Sequence, residues 1–174
     1  MTLAIIAPQI GVLSETFIRR HTEDLLPGRT VVVAGTDRGP YGGHWDIECP
    51  KLIFNRLSLA ERGFAKIAKM LIPGYLKFEV QVERFLCEHK VKVILGEYLH
   101  ISVPWLPLAQ KLGIPFFAHA HGLDVSYCLS QEKEKWQTEY LRYNQAAGVI
   151  VVNQVMRQRL IALGVAPEIG RAHV

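Results

Sequence analysis

Short runs rich in β-branched residues alternate along the chain with longer helix-patterned segments, and this alternation constrains the fold more than any other feature. The runs are TLAIIA (2–7), TVVVA (30–34), VKVIL (91–95), PFFAHA (115–120) and GVIVV (148–152). They are near-continuously apolar, as strands of a parallel sheet are when helices cover both faces. Helical periodicity occupies 14–26, 57–72, 75–88, 103–112, 131–145 and 153–163. The expected class is therefore α/β: a doubly wound, mostly parallel sheet with helices on both faces, its ligands gathered beyond the carboxyl ends of the strands. The first strand should stop at Pro8, and the Gly/Pro-rich GTDRGPYGG (35–43) reads as a surface loop.

With 174 residues, 49% of them hydrophobic and 21% charged, the chain can bury one core and fits a single domain. A net charge of +4 favours anionic partners in general, such as phosphates, nucleic acid or acidic lipid headgroups. Cys49, Cys87 and Cys128 are odd in number and lack a Cys-x-x-Cys spacing, which argues against a disulfide framework or zinc ribbon and suits a reducing cytoplasm. The opening MTLAIIAP is too short for a secretory signal, and no apolar run reaches membrane-spanning length. The expectation is a protein that is soluble or lies on a membrane surface.

Chemistry concentrates where the fourth run ends, in HAHGLDVS. His119 and His121 should point to the same side if the strand stays extended. Gly122 would then let the chain turn sharply and a ligand approach, and Asp124 could accept a hydrogen bond from His121 and fix its tautomer. His-x-His after a strand also occurs among metal ligands. The fuller His-x-His-x-Asp-His pattern, however, needs aspartate at Leu123 and histidine at Asp124, and the other histidines form no second pair, so no metal is expected. His119 reads as a satisfied core histidine. His121, at a strand's carboxyl end beside a glycine, is the functional candidate.

A second stretch, APQIGVLSETFIRRH (7–21), places Ser14 as a helix N-cap with Glu15 in the first turn, and a helix N-terminus beyond a strand is an anion site. A simply capped helix fits as well, because Gly11 is the loop's only glycine. No Gly-x-Gly-x-x-Gly fingerprint occurs, which disfavours an ordinary NAD-binding domain.

Taken in order, P-x5-SETFI, ILGEYLH (94–100), HAHGLDVS and GVIVVNQVMRQRLIALGV (148–165) resemble the amino-terminal domain of family 4 glycosyltransferases over residues 1–168. The resemblance implies a Rossmann-like domain, the first half of a GT-B fold, and retaining transfer of a sugar from a nucleotide-sugar donor to a glycan or lipid-linked acceptor. It implies no cofactor or obligatory metal, no nucleic acid partner, and a cytoplasmic location, peripheral on the inner face of the membrane. By the same resemblance His121, with Gly122, lies near the donor sugar, and Gly11, Ser14 and Glu15 approach the donor diphosphate. Asp124, Glu97 and Tyr98 support them, with Leu99 where relatives often carry glycine. It names no protein base; the leaving phosphate can take the acceptor's proton. The nucleotide-sugar domain that follows in the family, with its basic residues and Glu-x7-Glu, is absent, so this chain alone is expected to be inactive. The tail IGRAHV (169–174) matches the translated start of a common sequencing adapter and is expected to be non-native. A non-catalytic sugar- or nucleotide-sugar-binding domain and a GT-B epimerase-like enzyme stay open as alternatives.

The segment ERGFAKIAKMLIPGYLK (61–77) is amphipathic and basic: Phe64, Ile67, Ala68 and Leu71 share one helical face, and Arg62, Lys66 and Lys69 another. One reading is a solvated helix with its apolar face in the core. The other is an anionic-membrane patch completed by Met70, Ile72, Tyr75, Leu76 and Lys77 around the Pro73-Gly74 break.

Overall fold

A computed structural model describes residues 1–71, 76–165 and 170–171. The chain divides into two compact units, Met1–Lys92 and Val93–Val174, each built around parallel strands. In the first, β1 (Thr2–Gln9), α1 (Thr16–Asp24), β2 (Thr30–Thr36), β3 (Lys51–Ile53), α2 (Leu59–Leu71) and α3 (Glu79–Glu88) follow one another. β2 lies between β1 and β3, parallel to both, with Leu3 opposite Thr30 and Val32 opposite Lys51. Residues 3–7 of β1 and 30–34 of β2 are buried without a break, as strands enclosed on both faces must be. Ile18 of α1 packs against these strands, and Val82 and Leu86 of α3 are buried.

The second unit runs β4 (Val91–Glu97), α4 (Leu99–Ser102), a 3-10 turn, α5 (Leu106–Lys111), β5 (Phe116–Ala120), a π-helix over Leu123–Cys128, α6 (Leu129–Gln131), α7 (Lys133–Leu141), β6 (Gly148–Val151), α8 (Gln154–Ala162) and β7 (Gly170–Arg171). The strands lie in the order β4-β5-β6-β7, all parallel, with Glu97 opposite His119 and Ala120 opposite Val151. In the core, the Tyr143 hydroxyl donates to the Leu99 carbonyl at 2.7 Å and lies 2.8 Å from Ser102 Oγ. A Cβ on Gly96 would meet Phe116 Cζ at 2.8 Å and overlap Ser102, so only glycine fits there.

The α/β class and parallel pairing are those expected, with local corrections. β1 does not stop at Pro8 but runs to Gln9, which pairs with Thr36. Across from Pro8, Gly35 has no room for a side chain: a Cβ there would sit 2.7 Å from the Pro8 carbonyl oxygen. β3 and β7 are too short to carry a periodicity. The stretch 35–43 is not a free surface loop: Gly35 and Thr36 complete β2, Asp37 is buried and ion-paired with Arg56, and Gly39 packs on the Gly11 backbone. The helix expected over 103–112 is a chain of short helical turns that begins at Leu99, interrupted around Pro104 and Pro107. Of the tail 169–174, Gly170 and Arg171 pair with Ile150 and Val151, and the others lie outside the described residues.

Ser14 is not the N-cap of α1. A turn from Val12 to Glu15 precedes the helix, and Glu15 occupies the cap position with no side-chain cap bond. Asn153 does cap α8, its side chain accepting the Met156 amide at 2.9 Å. Asn153→Ala is expected to cost about 1 kcal/mol, and Ser14→Ala no measurable stability, in paired denaturation curves.

Candidate functional site

Five of the residues singled out in the sequence meet at the carboxyl ends of β4 and β5, inside the second unit. Parallel register sets Glu97 beside His119, and strand alternation brings His121 to the same side. Glu97 is wholly buried, and one of its oxygens, Oε2, serves both rings: it lies 3.1 Å from His119 Nδ1 and 3.0 Å from His121 Nε2. As a carboxylate it accepts, so His119 donates through Nδ1–H and His121 through Nε2–H. The imidazole centroids are 4.3 Å apart, and the Tyr98 ring lies 4.4 Å from that of His121. Tyr98 itself takes a positive φ of 63°, a conformation that costs a bulky residue of order 1 kcal/mol. That turn lets the chain leave β4 directly into α4, with Leu99 buried beneath it.

One expectation about this cluster is corrected. Asp124 does not orient the His121 ring; Glu97 does. Asp124 Oδ2 accepts instead the His121 backbone N–H at 2.8 Å, while its Oδ1 accepts the His100 backbone N–H at 3.2 Å and the His100 Nδ1–H at 2.6 Å. The carboxylate has too short a stem to reach the ring and closes the backbone turn. The chain does turn at Gly122, but into the π-helix with φ and ψ of −54° and −36°, ordinary helical values that do not require glycine. An added Cβ there would meet nothing within 4 Å, so the space beside this backbone is open.

His100 was not singled out from the sequence, although its place three residues after Glu97 in GEYLH was a usable signal. Trp136, whose ring meets that of His100 edge-on at 5.8 Å, had none, because α7 is distant in sequence. Under the site, burial pushes the Tyr140 and Tyr143 phenols well above their ordinary range, so they act as neutral hydrogen-bonding groups. His100, Asp124 and Cys128 bring ligand-type atoms within 4.8 Å of one another. His100 Nδ1 and Asp124 are already bonded to each other there, and burial raises the Cys128 thiol above its usual value, away from the thiolate a metal requires.

The loop after β1 belongs to the first unit. Gly11 takes φ +96°, and its oxygen lies where a Cβ on Gly39 would be, so two glycine backbones pack directly. Ser14 is exposed and Glu15 half-buried at the α1 N-terminus. In the same unit α2 departs from its expected packing. It turns Ala65 and Ala68 inward and leaves Phe64 and Ile67 each 54% exposed, Leu71 68% and Met70 77%. Arg62, Lys66, Lys69 and Lys77 are exposed too, with Lys77 Nζ 4.7 Å above the Phe78 ring. The small alanines permit close approach, which turns the larger apolar groups outward. The part of that patch expected at Ile72, Pro73, Gly74 and Tyr75 lies outside the described residues.

A sequence profile for the glycosyl transferase 4-like domain matches residues 27–173. The chain belongs to that family. No curated protein matches it in sequence. Among solved structures, this glycosyl transferase 4-like chain is similar to HepE of Anabaena in complex with UDP, at 15% identity and TM-score 0.64, over 98% of this chain and 43% of that one. It is similar to sucrose-phosphate synthase of Thermosynechococcus elongatus at 13% identity and TM-score 0.61, over 99% and 47%. UDP-GlcNAc 2-epimerase of Methanocaldococcus jannaschii aligns at 15% identity and TM-score 0.55, over 96% and 44%. The chain thus spans less than half the length of these proteins, and at such identities the likeness is one of fold: a Rossmann-like half of the GT-B arrangement. Among the described residues no helix is long and apolar enough to cross a membrane.

If Glu97 holds both imidazoles, Glu97→Leu strands two N–H donors in the interior and should cost roughly 2–4 kcal/mol. Glu97→Gln keeps an acceptor oxygen and should cost less. Urea denaturation of the two variants gives the comparison.

Proposed function

We propose that this chain is the amino-terminal, acceptor-side domain of a GT-B glycosyltransferase. The intact enzyme transfers a sugar, of hexosyl type, from a nucleotide-sugar to a glycan or lipid-linked acceptor with retention, and the chain alone is inactive. The observation that carries this reading is the shared Glu97 carboxylate, which fixes the His121 ring against Tyr98 at the carboxyl end of a parallel strand. Family membership supports it. Such a reaction must stabilise a departing diphosphate and an electron-poor sugar carbon, and a preorganised imidazole, its orientation already fixed, suits the second need. His121, with Gly122 beside it, stands at the donor sugar, supported by Glu97, Tyr98 and Asp124; Gly11, Ser14 and Glu15 stand at the diphosphate. The donor's nucleotide is held mainly by the nucleotide-sugar domain of the intact enzyme, and the source gene tests this by encoding such a domain or not.

In the full-length enzyme, His121→Ala should lower turnover of UDP-glucose, used as the donor probe, by roughly 100-fold or more at temperatures where the variant is still folded, with a stability loss no larger than that of His119→Ala. His119→Ala should act mainly on stability. Parent-level turnover by His121→Ala overturns the assignment, and epimerised sugar in place of transferred sugar moves the protein to the epimerase class that shares this fold.

The α2 surface supports docking on an anionic cytoplasmic leaflet, where lipid-linked acceptors reside. Exposed Phe64, Ile67, Met70 and Leu71 accompany Arg62, Lys66, Lys69 and Lys77, the pairing of apolar and basic groups that an anionic bilayer surface attracts. Each lysine near such a surface contributes about 1 kcal/mol. Changing Lys66, Lys69 and Lys77 together to glutamine should abolish sedimentation with phosphatidylserine-containing vesicles at low salt. No binding by the parent, or equal binding by the triple variant, leaves the patch a solvated face.

A further inference from the structure

We propose that the groove between the π-helix and α8 is a binding site for a phosphate monoester that carries a short hydrocarbon chain. The site lies wholly in the second unit and does not depend on the glycosyltransferase reading above. One wall is a continuous face of the segment after β5, formed by Val125, Ser126 and Leu129 and then by Lys133 where α7 begins. The other is the end of α8, which packs against the π-helix and contributes Arg159, Ala162 and Leu163. Between them lies a cavity of about 300 Å³, at the small end of the range for small-molecule sites.

Three side chains around this cavity offer protons. Arg159 Nη1 donates to Ser126 Oγ at 3.3 Å, a bond that ties α8 to the π-helix and leaves the other guanidinium N–H groups for a ligand. Because Ser126 Oγ accepts that bond, its own O–H is left to donate. Lys133 supplies the third group. Ser130, the remaining polar side chain of the lining, turns its O–H to the Tyr127 carbonyl at 2.8 Å. Among the described residues no carboxylate lines the cavity, and neither Lys133 nor Arg159 is ion-paired. Glu132, next to Lys133 in sequence, is held by Lys135 at 2.8 Å. Two cations with no anion between them make the cavity electropositive, and the oxygens of a phosphate can meet a guanidinium, an ammonium and a hydroxyl together.

The rest of the lining is hydrocarbon. Val125 is buried, and Leu129 and Leu163 are half-buried beside Ala162. An alkyl chain laid over these groups releases the water that covers them, so each methylene strengthens binding. Volume sets the limit: the cavity admits a phosphate and a few carbons but not a diacyl lipid, which makes the ligand a soluble single-chain ester. The groove is distinct from the imidazole cluster. Asp124 and Cys128 of the same π-helix are turned to the interior, whereas Ser126 is exposed. Val125 follows Asp124 directly, so a ligand against Val125 rests on the segment whose carboxylate holds the His100 and His121 backbones.

Calorimetric titration of the full-length protein with monomeric octyl phosphate tests the site, with inorganic phosphate and octyl glucoside as the two controls. Octyl phosphate should bind at one site, inorganic phosphate about tenfold or more weakly for want of the chain, and octyl glucoside not at all over the same range. Changing Lys133 and Arg159 together to glutamine should weaken octyl phosphate binding about tenfold or more, with folding checked by thermal melting. Ala162→Trp keeps both charges, fills the cavity from α8 and should abolish binding. Failure of the parent to bind octyl phosphate overturns the proposal, as does parent-like affinity in the Lys133→Gln, Arg159→Gln double variant or in Ala162→Trp. Equal binding of octyl glucoside overturns it too, by reducing the groove to an apolar surface. Binding to phosphatidic acid vesicles without binding of the monomer overturns the soluble ester in favour of a bilayer headgroup. None of these outcomes bears on the activity of His121→Ala, so the glycosyltransferase reading is tested separately.

Discussion

A buried carboxylate that must satisfy two imidazoles organises the second unit. Glu97 has no exposed surface, and a charge in such a place is tolerable only when donors surround it. His119 and His121 supply them, but only if β4 and β5 keep their parallel register and β5 stays extended to its end. The demand propagates backward along β4. Gly96 is compressed between Ser102 and Phe116, so the residue before Glu97 cannot carry a side chain. It propagates forward as well, into the strained φ of Tyr98 and the abrupt start of α4.

Asp124 performs the complementary task on the backbone. Its three donors tie the segment after β5 to the segment after β4, so the two strand ends that carry the histidines are clamped together. The π-helix that follows Gly122 carries Asp124 inward, and the Tyr140 hydroxyl donates to the Asp124 carbonyl from below at 3.3 Å. The site is thus a pair of acid–histidine couples on a floor of neutral, hydrogen-bonded phenols. A floor that cannot ionise near neutral pH adds no charge beneath the two couples.

The exposed face of α2 follows a different logic. Its sequence is amphipathic under either packing, because Phe64, Ile67, Ala68 and Leu71 share a stripe. Rotation about the helix axis selects Ala65 and Ala68 for the interior, and the bulky apolar groups are left outside among the lysines. Periodicity reports that a helix has an apolar side; it does not report which residues of that side touch the core.

The alternation of β-branched runs and helical segments determined the α/β class, the parallel strands and the placing of the histidines at a strand's carboxyl end. These follow from local stereochemistry and side-chain periodicity, which a linear reading retains. The short strand β3, the Val12–Glu15 turn that displaces Ser14 from the cap, and the helical conformation of Gly122 were hidden because packing and neighbouring backbone outweigh local propensity there. The same holds for the partners within the site. Residues 119–124 alone suggest that Asp124 serves the His121 ring, the nearest carboxylate in sequence. Strand pairing brings Glu97 nearer in space, and α4 delivers His100 to Asp124. Which acid holds which histidine is a property of distances across the sheet, and those exist only once the strands have paired.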